Sequence, residues 1–208
     1  YLAIKLGLPL MVIFACVLFL FSLARNDDNY TSIDTKGERI KYSIYYKYDG
    51  KIYAMIPSGG YYQVEGADAK TFKLVDSDPI YNNSVGVDKD HVYFGNQKID
   101  DLNAKTIKYI GNGYYSDGKN TYFCSNNSVR NPDLPVILEA FQSIVYTLTN
   151  NKKPQSYIYP YQKLEGVKDV VKFDKLSFFA RSGNRLYYMG KALKNADPHT
   201  IRTVSEKG

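Results

Sequence analysis

The chain has 208 residues, a formal net charge of +6 and an aromatic content of 15%, with 21 tyrosines and no tryptophan. Two cysteines and two histidines are too few for a network of disulfides, or for a zinc site that needs three or four such ligands. The basic residues form no long cationic run, so the composition predicts no nucleic-acid partner and suits an acidic protein or anionic lipid.

An uncharged apolar run of nineteen residues, Leu6–Ala24, lies between Lys5 and Arg25. A helix of that length measures about 28 Å, which matches the hydrocarbon core of a bilayer. We therefore expect residues 1–25 to form a transmembrane signal-anchor helix. Its membrane-embedded side chains would be Leu10, Val12, Ile13, Phe14, Val17, Leu18, Phe19, Leu20 and Phe21.

Two alternatives exist for this run. Ser22-Leu23-Ala24 has the small residues of a signal-peptide cleavage site, although the run is longer than the roughly 7 to 15 residues of a typical signal peptide. Lipid attachment at Cys16 is disfavoured because the apolar run continues beyond it. Cationic residues flank both ends and do not decide the orientation, whereas the N-terminal position favours a translocated C-terminal domain.

Residues 26–40 are mostly polar and have no hydrophobic period, which predicts a tether. Residues 41–208 remain for one domain. Tyrosine and phenylalanine fill short runs such as Ile44-Tyr45-Tyr46 and Leu186-Tyr187-Tyr188, near Asp-Gly and Ser-Gly turns. The sequence therefore predicts a mainly β domain of meandering antiparallel hairpins.

A repeat unit is visible in Val85–Ile110. The polar turn Asp88–His91 precedes the strand Val92-Tyr93-Phe94, and Asn103 is placed to start a single helical turn. The turn and strand recur at Asp49–Tyr53, Asp117–Phe123 and Ser182–Tyr188. The capping element recurs at Val64–Phe72 and Leu193–Ile201, with degenerate copies at Val129–Asp133 and Leu164–Val167.

This two-part pattern resembles the DKNYY family of bacterial repeat proteins, in which an aspartate-initiated turn, a tyrosine strand and a G-A-D-x-x-T-F element alternate. The resemblance covers residues 45–204 and departs from the pattern at His91 and in an irregular insertion at about 141–175. It implies a β-repeat domain with short helical turns and transfers no catalytic residue. It also implies a secreted, periplasmic or membrane-tethered setting. With the anchor, this predicts a single-pass protein of the bacterial inner membrane whose C-terminal domain lies in the periplasm or outside the cell.

One segment of the domain has helical spacing. Within Leu134–Leu148, the apolar residues that fall at this spacing are Ile137, Phe141, Ile144, Val145 and Leu148. The alternative is a further pair of strands, since the run Ile-Val-Tyr-Thr-Leu is β-prone.

No cluster of residues suggests catalysis. Cys124 follows a strand, and the two histidines, His91 and His199, occupy turns of different units. The acidic residues Asp88, Asp90, Asp100 and Asp101 lack the ligand order of a calcium loop and fit turn capping. The sequence predicts no catalytic, cofactor or metal site and no small-molecule substrate.

Partner-binding residues are expected where the repeat is broken. The tract Tyr157-Ile158-Tyr159-Pro160-Tyr161 is predicted to expose a row of tyrosines, because Pro160 restricts it to an edge or loop. Small basic clusters at Lys152 and Lys153, and at Arg181 and Arg185, are further candidates.

The expected function is a non-enzymatic, membrane-tethered protein-binding module displayed outside the cytoplasm. It would serve as an immunity or inhibitor protein, or as an accessory subunit of an envelope complex. One alternative is a module that binds cell wall or glycan through tyrosine platforms. Another is an enzyme with an unrecognised site.

Overall fold

The computed structural model describes residues 9–18, 20–21, 32–75, 84–149 and 152–202. Residues 9–18, 20–21 and 32–36 are helical. No helix within these described residues is long and apolar enough to span a bilayer. The rest of the predicted apolar run, at residues 6–8, 19 and 22–24, lies outside the described residues, and so does the first part of the predicted tether, at residues 26–31. The remaining tether residues, 32–40, contain the short helix at 32–36 and the first strand of the domain, Glu38–Arg39.

The predicted membrane-embedded side chains that the structure describes are mostly exposed. Leu18 is half-buried, and Phe19 is outside the described residues. The exposed ones are Leu10, Val12, Ile13, Phe14, Val17, Leu20 and Phe21.

Most of the described chain forms antiparallel meanders of four strands each. The first sheet contains β1 (Glu38–Arg39), β2 (Tyr45–Tyr48), β3 (Lys51–Ile56) and β4 (Gly60–Gln63). The second contains β5 (Lys73–Leu74), β6 (Val85–Val87), β7 (Val92–Phe94) and β8 (Gln97–Ile99). The prediction of a mainly antiparallel β fold is confirmed.

The third sheet begins with β9 (Lys108–Gly111), β10 (Tyr114–Ser116) and β11 (Thr121–Cys124). An insertion follows, with β12 (Val129–Arg130), a helix (Val136–Thr149) and β13 (Tyr157–Ile158). Then β14 (Tyr161–Lys163) pairs with β11 and completes the third sheet. The fourth sheet contains β15 (Val171–Lys172), β16 (Phe179–Ser182), β17 (Arg185–Tyr188) and β18 (Lys191–Leu193).

Residues 125–160 therefore interrupt the third sheet between its third and fourth strands. The stretch at about 141–175, predicted as irregular, contains most of the helix and strands β13, β14 and β15. The sequence left a helix and a pair of strands open for residues 134–148, and the structure shows that this segment forms a helix.

Short turns hold the meanders in register. The turn between β2 and β3 consists of Asp49 and Gly50, with φ angles of 47° and 68°. Two residues of positive φ give the hairpin turn whose twist matches that of antiparallel strands, and asparagine, aspartate and glycine tolerate this conformation best.

The core lies between successive sheets. Tyr45 and Tyr93 belong to the apolar cluster between the first and second sheets, and the Tyr45 hydroxyl donates to the Ser84 carbonyl at 2.7 Å. Phe94 and Tyr122 belong to the cluster between the second and third sheets. A third cluster joins the third and fourth sheets. Each sheet thus packs on its sequence neighbours, as in a repeat stack.

Candidate functional site

The helix Val136–Thr149 is the main departure from the repeat. Its first turn is set by Pro135, whose carbonyl accepts the Glu139 N–H at 2.9 Å, and proline is favoured at the start of a helix because its missing N–H has no helical partner there. Near the other end, the Thr149 hydroxyl donates to the Val145 carbonyl at 2.7 Å.

The polar side of this helix faces the domain. Tyr146 and Thr147 are buried, and Glu139 forms an ion pair with Arg130 on β12. The inward set recurs at the i, i+3, i+4 and i+7 spacing of one helical face. Its members are Glu139, Gln142, Ser143, Tyr146 and Thr147.

The apolar side faces outward. Ile137 is 87% exposed, and Phe141 and Leu148 are each 63% exposed. We call the exposed apolar side chains of this helix the outer face: Val136, Ile137, Leu138, Phe141, Val145 and Leu148. A surface helix normally turns such residues toward the core, and an exposed apolar patch of this kind marks an interaction site.

A groove of about 470 Å³ runs beside the outer face. Leu138, Phe141 and Val145 form its apolar wall. Two charged residues of opposite sign also line it: Asp133, just before the helix in sequence, and Lys152, just after it. The other lining residues are Asn131, Leu134, Gln142, Lys153 and Gln155.

Lys153 fixes one wall of the groove to the first sheet. Its Nζ donates to the Gly59 carbonyl at 2.8 Å and lies 4.8 Å from the centroid of the Tyr62 ring. Burial lowers the pKa of Lys153 to about 8. Among the described residues, no ion pair includes Lys152, Lys153 or Asp133.

The predicted partner-binding residues lie in two different parts of the structure. Lys152 and Lys153 both line the groove. Arg181 on β16 and Arg185 on β17 belong to the fourth sheet and are not among its lining residues.

The prediction of an exposed tyrosine row is wrong for Tyr159, which is only 2% exposed and packs in the core between the first and second sheets. The Gln97 side chain donates to its carbonyl at 2.8 Å and holds the tract against the second sheet. Tyr157 is half-buried. Tyr161 is 41% exposed and contacts the Phe94 ring at 5.7 Å between centroids.

The outer face itself is absent from the predicted site residues, although the signal was present. The apolar spacing from Ile137 to Leu148 and the polar spacing from Glu139 to Thr147 are both helical. A helical period does not say which side packs inward, and the usual assumption places the apolar side there.

The other chemical candidates lie in turns and strands. The Asp88 carboxylate accepts hydrogen bonds from its own turn. Cys124 is buried, and burial raises the pKa of its thiol. Among the described residues, no group of three or more histidine, cysteine, aspartate or glutamate side chains is arranged to hold a metal ion.

Comparison with known protein families identifies the family of this chain. The sequence model of the DKNYY family matches residues 45–208. No curated protein matches the chain, and no solved structure does.

Proposed function

The chain belongs to the DKNYY family, and from that membership and the geometry of the insertion we propose that it is a membrane-tethered, non-enzymatic protein-binding module. In this proposal the stacked sheets are the scaffold and the outer face is the docking surface. The module is displayed outside the cytoplasm and acts as an immunity or inhibitor protein, or as an accessory subunit of an envelope complex.

One observation carries the protein-binding role, namely that the helix Val136–Thr149 packs with its polar side inward and its apolar side outward. Each Å² of apolar surface removed from water stabilises a complex by about 25 cal/mol before the costs of association. A partner that covers the outer face gains this term. A glycan platform would need exposed rings side by side, whereas Tyr159 is buried.

The anchor is the second part of the proposal. It is supported by the uncharged run Leu6–Ala24 and by the helical backbone at residues 9–18 and 20–21, whose side chains include the exposed Phe14 and Phe21. Such a segment fits a single-pass signal-anchor in the bacterial inner membrane, with the domain in the periplasm or outside the cell.

The chain enters the domain at the first sheet, which the groove residue Lys153 also contacts. The Tyr61 hydroxyl on β4 donates to the carboxylate of Asp34, a residue of the predicted tether, at 2.9 Å. The next residue, Tyr62, lies beneath Lys153. Neighbouring strand residues point to opposite faces of a sheet, so Asp34 and Lys153 contact opposite faces of the first sheet.

Site-specific photo-cross-linking in cell membranes tests this function. A photo-reactive phenylalanine derivative replaces Phe141 in one full-length variant and the partly exposed Tyr188 of β17 in the matched control. We expect a discrete protein adduct from position 141 that is absent from position 188 and is lost when Leu148→Glu is added. Adducts with lipid alone, or equal protein adducts from both positions, would contradict the proposal.

A further inference from the structure

The charges around the outer face have a simple arrangement. None of the six side chains of the face is charged. The one acidic residue of the helix, Glu139, points inward and pairs with Arg130. Of the charged residues that line the groove, Asp133 precedes the helix and Lys152 and Lys153 follow it. The surface is therefore an apolar strip with a negative end and a positive end.

We propose that the partner on this strip is a second copy of the chain, paired antiparallel through the same outer face. The proposal rests on the protein-binding function above and names the occupant of that site. In a two-fold arrangement each copy presents the same patch, and residue i of one copy faces residue j of the other, and the reverse.

The midpoint of the helix lies between Gln142 and Ser143. A two-fold axis there brings Ile137 of one copy opposite Leu148 of the other. The same axis brings Asp133 of one copy opposite Lys152 of the other, at both ends of the pair. Apolar side chains then meet apolar side chains, and each end charge meets its opposite.

The same pattern disfavours other occupants. Parallel pairing would place Lys152 and Lys153 next to their own copies, and Asp133 next to its own copy, which is unfavourable for like charges. An anionic bilayer would attract the lysine end and repel the Asp133 end. The antiparallel copy satisfies both ends at once.

The outer face is small, which suits a partner that is held in the same membrane. A helix of 14 residues is about 21 Å long, so a pair of single helices buries less than the roughly 800 Å² per partner of a standard interface. Such a contact is weak between freely diffusing molecules. Copies anchored in one membrane meet at a high effective concentration, at which a modest contact suffices.

Disulfide cross-linking of the full-length chain in membranes tests the pairing. The background carries Cys16→Ser, because Cys16 is exposed, and retains Cys124, which is buried. Ile137→Cys and Leu148→Cys are made separately and are then co-expressed. We expect cross-linked dimers only when both variants are present, since antiparallel pairing joins one end of the helix to the other.

A charge exchange provides the matched control. In the co-expressed pair, Asp133→Lys is expected to lower the dimer yield about fivefold, and adding Lys152→Asp to the same chains is expected to restore it.

Dimers from Ile137→Cys alone, or no dimer in any combination, would overturn the second copy as partner. If no dimer forms but position 141 still gives an adduct with a different protein, the protein-binding function stands without it. If neither a dimer nor a protein adduct forms, both proposals fail.

Discussion

At the scale of single residues, the turn aspartates join one repeat unit to the preceding one. The Asp88 Oδ1 atom accepts the N–H groups of Asp90 and His91 at 2.8 and 2.7 Å. Its Oδ2 atom accepts the Asp68 N–H at 3.0 Å and the Tyr93 hydroxyl at 2.8 Å. Asp88, which the sequence assigned to turn capping, therefore also forms a junction between two repeat units.

The next unit repeats the arrangement. Asp117 accepts the N–H groups of Lys119 and Asn120 within its own turn, at 2.8 and 2.7 Å. Its other carboxylate oxygen accepts the Asn103 N–H at 3.0 Å. The aspartate at the start of the family motif thus has a physical role, which is to cap its own turn and fasten the unit before it.

Replacing Asp88 tests this role against a neighbour in the same turn. Asp88→Ala leaves four donors without their acceptor and is expected to lower the free energy of unfolding by about 3 kcal/mol. Asp90→Ala removes an exposed carboxylate, 3.9 Å from Lys89, and is expected to change it by less than about 0.5 kcal/mol. Urea unfolding at pH 7 measures both, and equal losses would show that the junction is not specific to Asp88.

The pH dependence of the Asp88 contribution follows from its pKa. Burial alone would raise this pKa, but the N–H donors and the Tyr93 hydroxyl outweigh burial and hold it below its ordinary value. Because the pKa is lower in the folded chain, the stabilisation is complete above about pH 4 and is lost as the pH falls further. The difference between the parent and Asp88→Ala should shrink in that acidic range.

At the scale of elements, consecutive aromatic residues reflect sheets that are covered on both faces. Tyr93 packs toward the first sheet and Phe94 toward the third, because neighbouring strand residues point to opposite faces. In the last sheet, Tyr187 is buried against the third sheet, whereas Tyr188 is 40% exposed. Within the described chain, no later sheet covers that side.

Alanine substitution of the two β17 tyrosines measures this difference. Tyr187→Ala empties a packed site and is expected to lower the free energy of unfolding by about 3 kcal/mol. Tyr188→Ala removes a partly exposed ring that contacts Phe179 at 4.7 Å between centroids, with an expected loss under about 1 kcal/mol. If the two losses were alike in urea unfolding, the stack would extend beyond the fourth sheet.

Local features of the sequence were sufficient to predict the hairpins. Turn residues and strand alternation are encoded within a few positions, and even the degenerate copy at Leu164–Val167 keeps its turn. There the Val167 N–H donates to the Leu164 carbonyl at 3.3 Å, as the Ala67 N–H does to the Val64 carbonyl at 3.3 Å.

The pairing of strands that are far apart in sequence could not be predicted from these local features. Strand β14 pairs with β11 across the whole insertion, so residues 161–163 complete a sheet whose other strands end at Cys124. The short spacing between turns carries no information about such a return. For the same reason, neither the burial of Tyr159 nor the inward polar side of the helix could be derived from local pattern.

At the scale of the whole molecule, the described domain divides into a scaffold and a surface. The four sheets bury their aromatic residues against one another, each contacting its neighbours in sequence. The insertion at residues 125–160 adds a helix whose apolar side the described chain leaves exposed. This division implies that the outer face can be altered without loss of the fold.

The full-length double variant Phe141→Glu and Leu148→Glu tests that claim most directly, by comparing its free energy of unfolding with that of the parent. We predict a change of less than about 0.5 kcal/mol, as for other exposed positions, together with loss of every protein adduct from position 137 carrying the photo-reactive side chain. A loss of several kcal/mol would contradict the account, because it would show that these side chains belong to the core.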